Sequence, residues 1–192
     1  MAGSSFPPQV LLAAQGANPG RIGLRAAIFD VDGVLTDGRL YIGEAGETVK
    51  AFSTLDGHGL KLLAMAGIVP MVVTGRDSPA VRRRLADLGL QHAAFGAHDK
   101  VAAAEALLAP LGIAWGEVGV IGDDWPDLPL FARAAFACAP ANAHGEVQAR
   151  AAYVTRAAGG HGAAREFCDL LLMAAGRYAA LLADVTGTLD AR

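Results

Sequence analysis

Ile28-Phe29-Asp30-Val31-Asp32-Gly33-Val34-Leu35-Thr36 marks where a buried strand meets a pair of acids. An apolar run from Leu24 to Phe29 ends in two aspartates one residue apart, followed at once by glycine. Two acids at the end of a buried strand are costly unless a cation or a reacting group uses them. Glycine lets the chain turn sharply, so both carboxylates can face one small space. That geometry suits holding Mg2+ and attacking a phosphate. The plain alternative is a strand that ends in an acidic turn, and the rest of the chain decides between the two.

Outward from this stretch, strand-like and helix-like segments alternate. Short apolar runs at 24–30, 69–74, 93–96, 118–122, 135–138 and 152–156 predict strands. Helices are predicted near 57–67, 78–89, 99–111, 124–134, 143–150 and 162–182. The strands are continuous rather than alternating in polarity, so both of their faces should be covered. The expected class is α/β, a Rossmann-like parallel sheet with helices on both faces and ligands at the carboxyl ends of the strands. Residues 38–52 break the alternation and read as a compact β-hairpin inserted after the first strand, with no room for a large cap domain. Leu40, Tyr41, Ile42, Val49 and Phe52 would be hard to bury inside one small domain, which favours a subunit contact there. The domain is expected over 23–183, after a loose extension at 1–22 with one helical turn and before a flexible tail at 184–192.

The chain has 192 residues, 53% hydrophobic and 18% charged, with a formal net charge of -3. It is long enough to bury a core and too apolar to be disordered. No basic run is long enough for a nucleic-acid face; Arg82-Arg83-Arg84 reads as one solvated helix face. Val10 to Ala14 is too short for a signal peptide or a membrane span. Cys138 and Cys168 lack metal-ligand spacing and read as buried reduced thiols, which fits a cytoplasmic protein.

Polar residues recur directly after the later apolar runs. Val69–Val73 is followed by Thr74-Gly75-Arg76, where a hydroxyl and free N–H groups can bind a phosphoryl oxygen. Lys100 opens a helix, where its charge opposes the helix dipole, so structure alone does not favour it there. Val118–Ile121 is followed by Gly122-Asp123-Asp124-Trp125-Pro126-Asp127. Asp124 can cap the next helix and Asp127 can sit in its first turn, which leaves Asp123 as the best metal candidate beside Asp30.

These four signals, in this order, resemble the haloacid dehalogenase-like phosphatase superfamily, whose pattern is D-x-D-G, Ser/Thr, Lys and G-D-x-x-x-D. The resemblance implies that Asp30 attacks phosphorus and that Asp32 protonates the leaving alkoxide, then draws a proton from water. It implies Mg2+ at Asp30, the backbone carbonyl of Asp32 and Asp123, with Thr74 and Lys100 on the phosphoryl oxygens. Longer strings, among them Phe52-Ser-Thr-Leu-Asp-Gly-His-Gly59 and Arg156-Ala-Ala-Gly-Gly-His-Gly162, resemble the 3-deoxy-D-manno-octulosonate 8-phosphate phosphatase family. That family acts on an acidic sugar phosphate in lipopolysaccharide precursor synthesis. It implies a cytoplasmic homotetramer with hairpins at its centre, and no nucleic-acid or membrane partner. Carried over, the substrate contacts are Asp32, Ser53, Thr54, Leu55, Asp56, Gly57, Lys61, Arg76, Arg84 and Lys100. Leu55 and Lys61 stand where the family more often has arginine, so a bidentate carboxylate fork is missing.

The related nonulosonate (KDN or sialic acid) 9-phosphate phosphatases rank second, because they tend to carry Thr-Gly-Glu where this chain has Thr74-Gly75-Arg76. A phosphosugar mutase would need a helical cap, and a non-catalytic oligomerisation domain could lose acids that are all present here. Two further stretches imitate motifs. Ala158-Gly159-Gly160-His161-Gly162-Ala163 fails the dinucleotide fingerprint because Arg165 holds its third glycine position. The resemblance places this segment at the border of the active site; His161 itself reads as a surface loop histidine rather than a catalytic one. Asp184-Val185-Thr186-Gly187 lacks an apolar strand before it and reads as tail.

Overall fold

A computed structural model describes residues 6–16, 23–44 and 46–187. Six parallel strands make one sheet: β1 (Ala26–Phe29), β4 (Val69–Val73), β5 (His92–Ala94), β6 (Val118–Ile121), β7 (Phe136–Ala139) and β8 (Tyr153–Val154). Their spatial order is β5-β4-β1-β6-β7-β8. The chain therefore builds outward from β1 in one direction, then returns to β6 and builds in the other. The crevice at this reversal, between the carboxyl ends of β1 and β6, is where such sheets bind ligands.

Every residue of β1, β6 and β7 is buried. Alternate side chains feed two cores. Ala27 and Phe29 join Leu60 and Leu63 of α2 (Thr54–Met65), Val81 and Leu85 of α3 (Pro79–Leu88), and Phe167 of α7 (Ala163–Ala174). Ala26 and Ile28 face the other way, onto Ala104 and Leu108 of α4 (Lys100–Leu108), Leu130 of α5 (Leu128–Phe131) and Val147 of α6 (Gly145–Gln148). Phe167 anchors the first layer, edge-on to Phe29 at 5.5 Å and stacked on Phe136 at 6.4 Å.

The hairpin strands β2 (Tyr41–Gly43) and β3 (Gly46–Val49) pair antiparallel and form a sheet of their own. Tyr41, Ile42 and Val49 are all exposed on it.

Three elements differ from the sequence expectation. The C-terminal helix is two helices, because Gly176 adopts a positive φ after α7 and α8 (Tyr178–Thr186) starts afresh. The Asp184 motif lies inside α8, so helix continues to Thr186 where tail was expected. In the N-terminal extension, α1 (Pro8–Ala13) supplies the expected helical turn. Phe6 before it is buried against Tyr153, ring centres 5.6 Å apart, which ties this part of the extension to the domain. The rest of the extension (1–5 and 17–22) and residues 188–192 lie outside the described residues.

Candidate active site

The turn after β1 is built by two small residues. Asp30 extends the ladder, its N–H donating to the Ile121 carbonyl at 3.1 Å. Gly33 then takes φ +91°, and a Cβ there would stand 2.0 Å from Asp123 Oδ2. Glycine is thus required twice over, for the backbone conformation and for the approach of β6. Buried Thr36 staples the turn: its hydroxyl donates to the Val31 carbonyl and accepts from the N–H groups of Gly33 and Gly38.

Lys100 begins α4, whose N-terminus is capped by Asp99 through the N–H groups of Val101 and Ala102. The ammonium turns back under β1, 2.9 Å from Asp30 and 2.7 Å from Asp127. Burial lowers the Lys100 pKa, but Asp30 and Asp127 more than offset it, so the net shift is upward and the charge is held. Asp127 uses its second oxygen to accept from the N–H groups of Asp123 and Asp124, at 3.1 and 3.4 Å. A Cβ on Gly122 would strike Asp127 at 2.4 Å, which explains the glycine before the acidic turn.

Asp30, Asp123 and Asp127 each place a carboxylate oxygen within 4.8 Å of the others. Burial, then the charges of Asp30, Asp127 and Asp124, push Asp123 up to about 8. Burial, then Asp127, push Asp30 up to about 6. One lysine leaves this cluster under-neutralised. A hard divalent cation with oxygen ligands fits it, held by Asp30 and Asp123 with Asp127 behind them.

Asp32 points away from this cluster. Its carboxylate is bonded to the Lys50 ammonium and lies 3.8 Å from Arg76 Nε. Buried Thr74 directly follows β4 and accepts from the Arg76 N–H at 3.4 Å. Asp30, Asp32, Thr74, Arg76, Lys100 and Asp123 all line one cleft of about 580 Å³. A smaller apolar hollow at the amino ends of β4 and β5 carries no acid, lysine or arginine.

The remaining predicted contacts fall elsewhere within the chain. Ser53 caps α2, and its carbonyl accepts from Arg84 at 3.1 Å. Gly57 leaves room for that same guanidinium, since a Cβ would meet it at 2.3 Å. Asp56 is buried and caps α7 from a distance, accepting from the N–H groups of Gly162 and Arg165 at 3.3 and 2.8 Å. Thr54, Leu55 and Lys61 are exposed on α2. None of these seven lines the cleft. His161 is exposed. The glycine segment does border the active-site turn: Gly160 donates to the Val34 carbonyl at 2.9 Å, and a Cβ on Gly159 would overlap the Gly33 carbonyl.

Sequence reasoning passed over Lys50 and gave Asp127 a place in the first turn of a helix and at the end of the G-D-x-x-x-D pattern, with no site role of its own. Asp127 carried a usable signal, as the third acid of a cluster after a buried strand. Lys50 carried none, because a lysine at the end of an exposed hairpin strand reads as solvated.

Comparisons with known proteins find relatives in both sequence and fold. A haloacid dehalogenase-like hydrolase family profile matches residues 95–167. The 3-deoxy-D-manno-octulosonate 8-phosphate phosphatase of Escherichia coli K12 is 44% identical over 154 residues, 80% of this chain and 82% of the relative. A probable YrbI family phosphatase from Pseudomonas syringae superposes with a TM-score of 0.85 at 43% identity, covering 92% of this chain and 97% of that one. The Moraxella catarrhalis 3-deoxy-D-manno-octulosonate 8-phosphate phosphatase, crystallised with magnesium, phosphate and KDO, superposes with a TM-score of 0.84 at 34% identity, covering 94% and 99%.

Proposed function

The chain belongs to the 3-deoxy-D-manno-octulosonate 8-phosphate phosphatase family of haloacid dehalogenase-like hydrolases, and from that premise we propose a Mg2+-dependent reaction that releases Kdo and phosphate through an aspartyl-phosphate on Asp30. The carrying observation is the contact of Asp30 with Lys100 at 2.9 Å, beside Asp123 at the reversal point of the sheet.

Asp30 attacks phosphorus, and the bond from phosphorus to the sugar oxygen breaks as Asp32 gives that oxygen a proton. Asp32 then takes a proton from the water that attacks the aspartyl-phosphate, which frees phosphate and restores Asp30. Lys100 and the Thr74 hydroxyl hold the phosphoryl oxygens while charge moves onto them. When bound at Asp30 and Asp123, Mg2+ supplies charge neutralisation for the phosphoryl group and the crowded carboxylates. Arg76, on the rim of the cleft, offers a cation to the sugar acid.

The cleft has no lid of its own among the described residues. The hairpin exposes Ile42 at 66% and Val49 at 59%, which supports a homotetramer with hairpins at its centre. In that assembly, α2 residues such as Leu55 and Lys61, exposed in the single chain, would be offered to a neighbour's substrate. Buried free thiols at Cys138 and Cys168 support a cytoplasmic setting. No helix among the described residues is long and apolar enough to cross a membrane.

The deciding experiment measures Mg2+-dependent phosphate release from 3-deoxy-D-manno-octulosonate 8-phosphate and from nonulosonate 9-phosphates. Preference for the eight-carbon acid is expected. Preference for the nine-carbon acids would overturn the substrate and keep the chemistry.

A further inference from the structure

Lys50 stands where the second hairpin strand rejoins the domain, and its side chain is fully covered. Lysine is almost never buried without a partner. Here the ammonium joins two carboxylates, bonding Asp32 on one side and approaching Glu47 to 3.2 Å on the other. Glu47 is fixed in turn by the buried Ser78 hydroxyl, which donates to it at 2.7 Å. Lys50 does not line the cleft, so its contact with the chemistry runs through Asp32.

We propose that Lys50 is a positioning residue: it holds the Asp32 carboxylate toward the leaving group, and the Glu47–Ser78 contact holds Lys50. This rests on Asp30 as nucleophile and Asp32 as proton shuttle. An aspartate at the mouth of a cleft is free to rotate away, and proton transfer needs its oxygen within hydrogen-bond reach of the leaving atom. A buried cation fixed at a second point removes that freedom. The Lys50 side chain therefore ties the hairpin to Asp32, which links the hairpin's placement to turnover.

The test uses p-nitrophenyl phosphate, whose leaving group departs with little need of a proton. Formation of the aspartyl-phosphate then depends weakly on Asp32, whereas its hydrolysis still needs Asp32 to activate water. Lys50→Met is expected to give a rapid burst of p-nitrophenolate. A steady rate lowered about 10- to 100-fold follows, the usual cost of losing a group that orients a catalytic one. Asp32→Asn should give the same burst, and adding Lys50→Met to it should cost nothing more. Lys50→Arg should restore most of the steady rate. Equal slowing of burst and steady rate in Lys50→Met, or full additivity with Asp32→Asn, would overturn the proposal. If Lys50→Met does not fold, Glu47→Gln, which loosens the far anchor, should show the same burst in milder form; an unchanged steady rate in it would overturn the proposal as well. Failure of Asp32→Asn to trap phosphate on Asp30 would instead sink the pairing of Asp30 as nucleophile with Asp32 as shuttle beneath it.

Discussion

Asp127 grips Lys100 at 2.7 Å with one carboxylate oxygen and the backbone N–H of Asp123 at 3.1 Å with the other. A single buried side chain thus fixes both Lys100, the cation proposed to face the phosphate, and the loop that carries Asp123, the proposed metal acid. Asp127→Asn keeps the shape and loses the charge. It is expected to lower both kcat and Mg2+ affinity, each by about 10- to 100-fold. Titrating activity with Mg2+ checks this; a loss in kcat with unchanged Mg2+ dependence would separate the two roles.

Gly33→Ala places a methyl group against Asp123 and forces alanine to φ +91°. Backbone strain alone costs about 1–3 kcal/mol. The variant should melt earlier and lose turnover, because the clash displaces Asp123 from Asp30. Thermal melts with and without Mg2+ read both effects: the shift produced by Mg2+ should shrink in the variant.

Stability and Mg2+ binding should depend on pH, because burial first and neighbouring carboxylates second raise two of the site's acids. Asp123 is raised to about 8 and Asp30 to about 6, against an ordinary value of 3.8. A raised carboxyl binds its proton more tightly in the folded chain, so its stabilising contribution is present at low pH and lost as pH rises through the folded value. Metal-free protein should therefore lose this contribution between about pH 4 and 8. Mg2+ needs the ionised acids, so its stabilising effect should grow over the same window and its binding should release protons. Melting scans in chelator and in Mg2+ across this range check the sign; a Mg2+ effect that falls as pH rises would contradict it.

Asp56 caps α7 from α2, a contact that joins residues 106 and 109 positions apart. Asp56→Ala should cost about 1 kcal/mol, the usual loss for a helix cap. For a chain of this size that is a fall in Tm of roughly 2–4 °C. An unchanged Tm with a raised KM would instead make Asp56 a substrate contact.

Ile42→Lys together with Val49→Lys puts two charges on the exposed hairpin face. If the proposed tetramer forms through this face, size-exclusion chromatography with light scattering should show it falling to smaller species, with a higher KM for the sugar phosphate. A tetramer that survives both changes would move the interface off the hairpin.

The parallel sheet and the places of Asp30, Thr74 and Asp123 were legible because each polar residue interrupts an apolar run at one end of a strand. Strand alternation also places them on one edge of the sheet. Lys50 and Asp56 were not legible in their roles. Lys50 is buried only because the hairpin folds back on the turn after β1. Asp56 finds its partners at the start of a helix more than a hundred residues later. Ser53, Gly57 and Arg84 form one tie between α2 and α3 in the single chain, which spacing along the sequence could not reveal.

The proposed reaction turns on Asp30 carrying the phosphoryl group. Rapid-quench reaction with phosphorus-labelled 3-deoxy-D-manno-octulosonate 8-phosphate and Mg2+, followed by peptide mapping, tests it most directly. The label should appear on the peptide containing Asp30, rise and decay as fast as product forms, and be absent from Asp30→Asn, which should not turn over. Label on another residue, or an Asp30→Asn enzyme that releases phosphate at the wild-type rate, would contradict it.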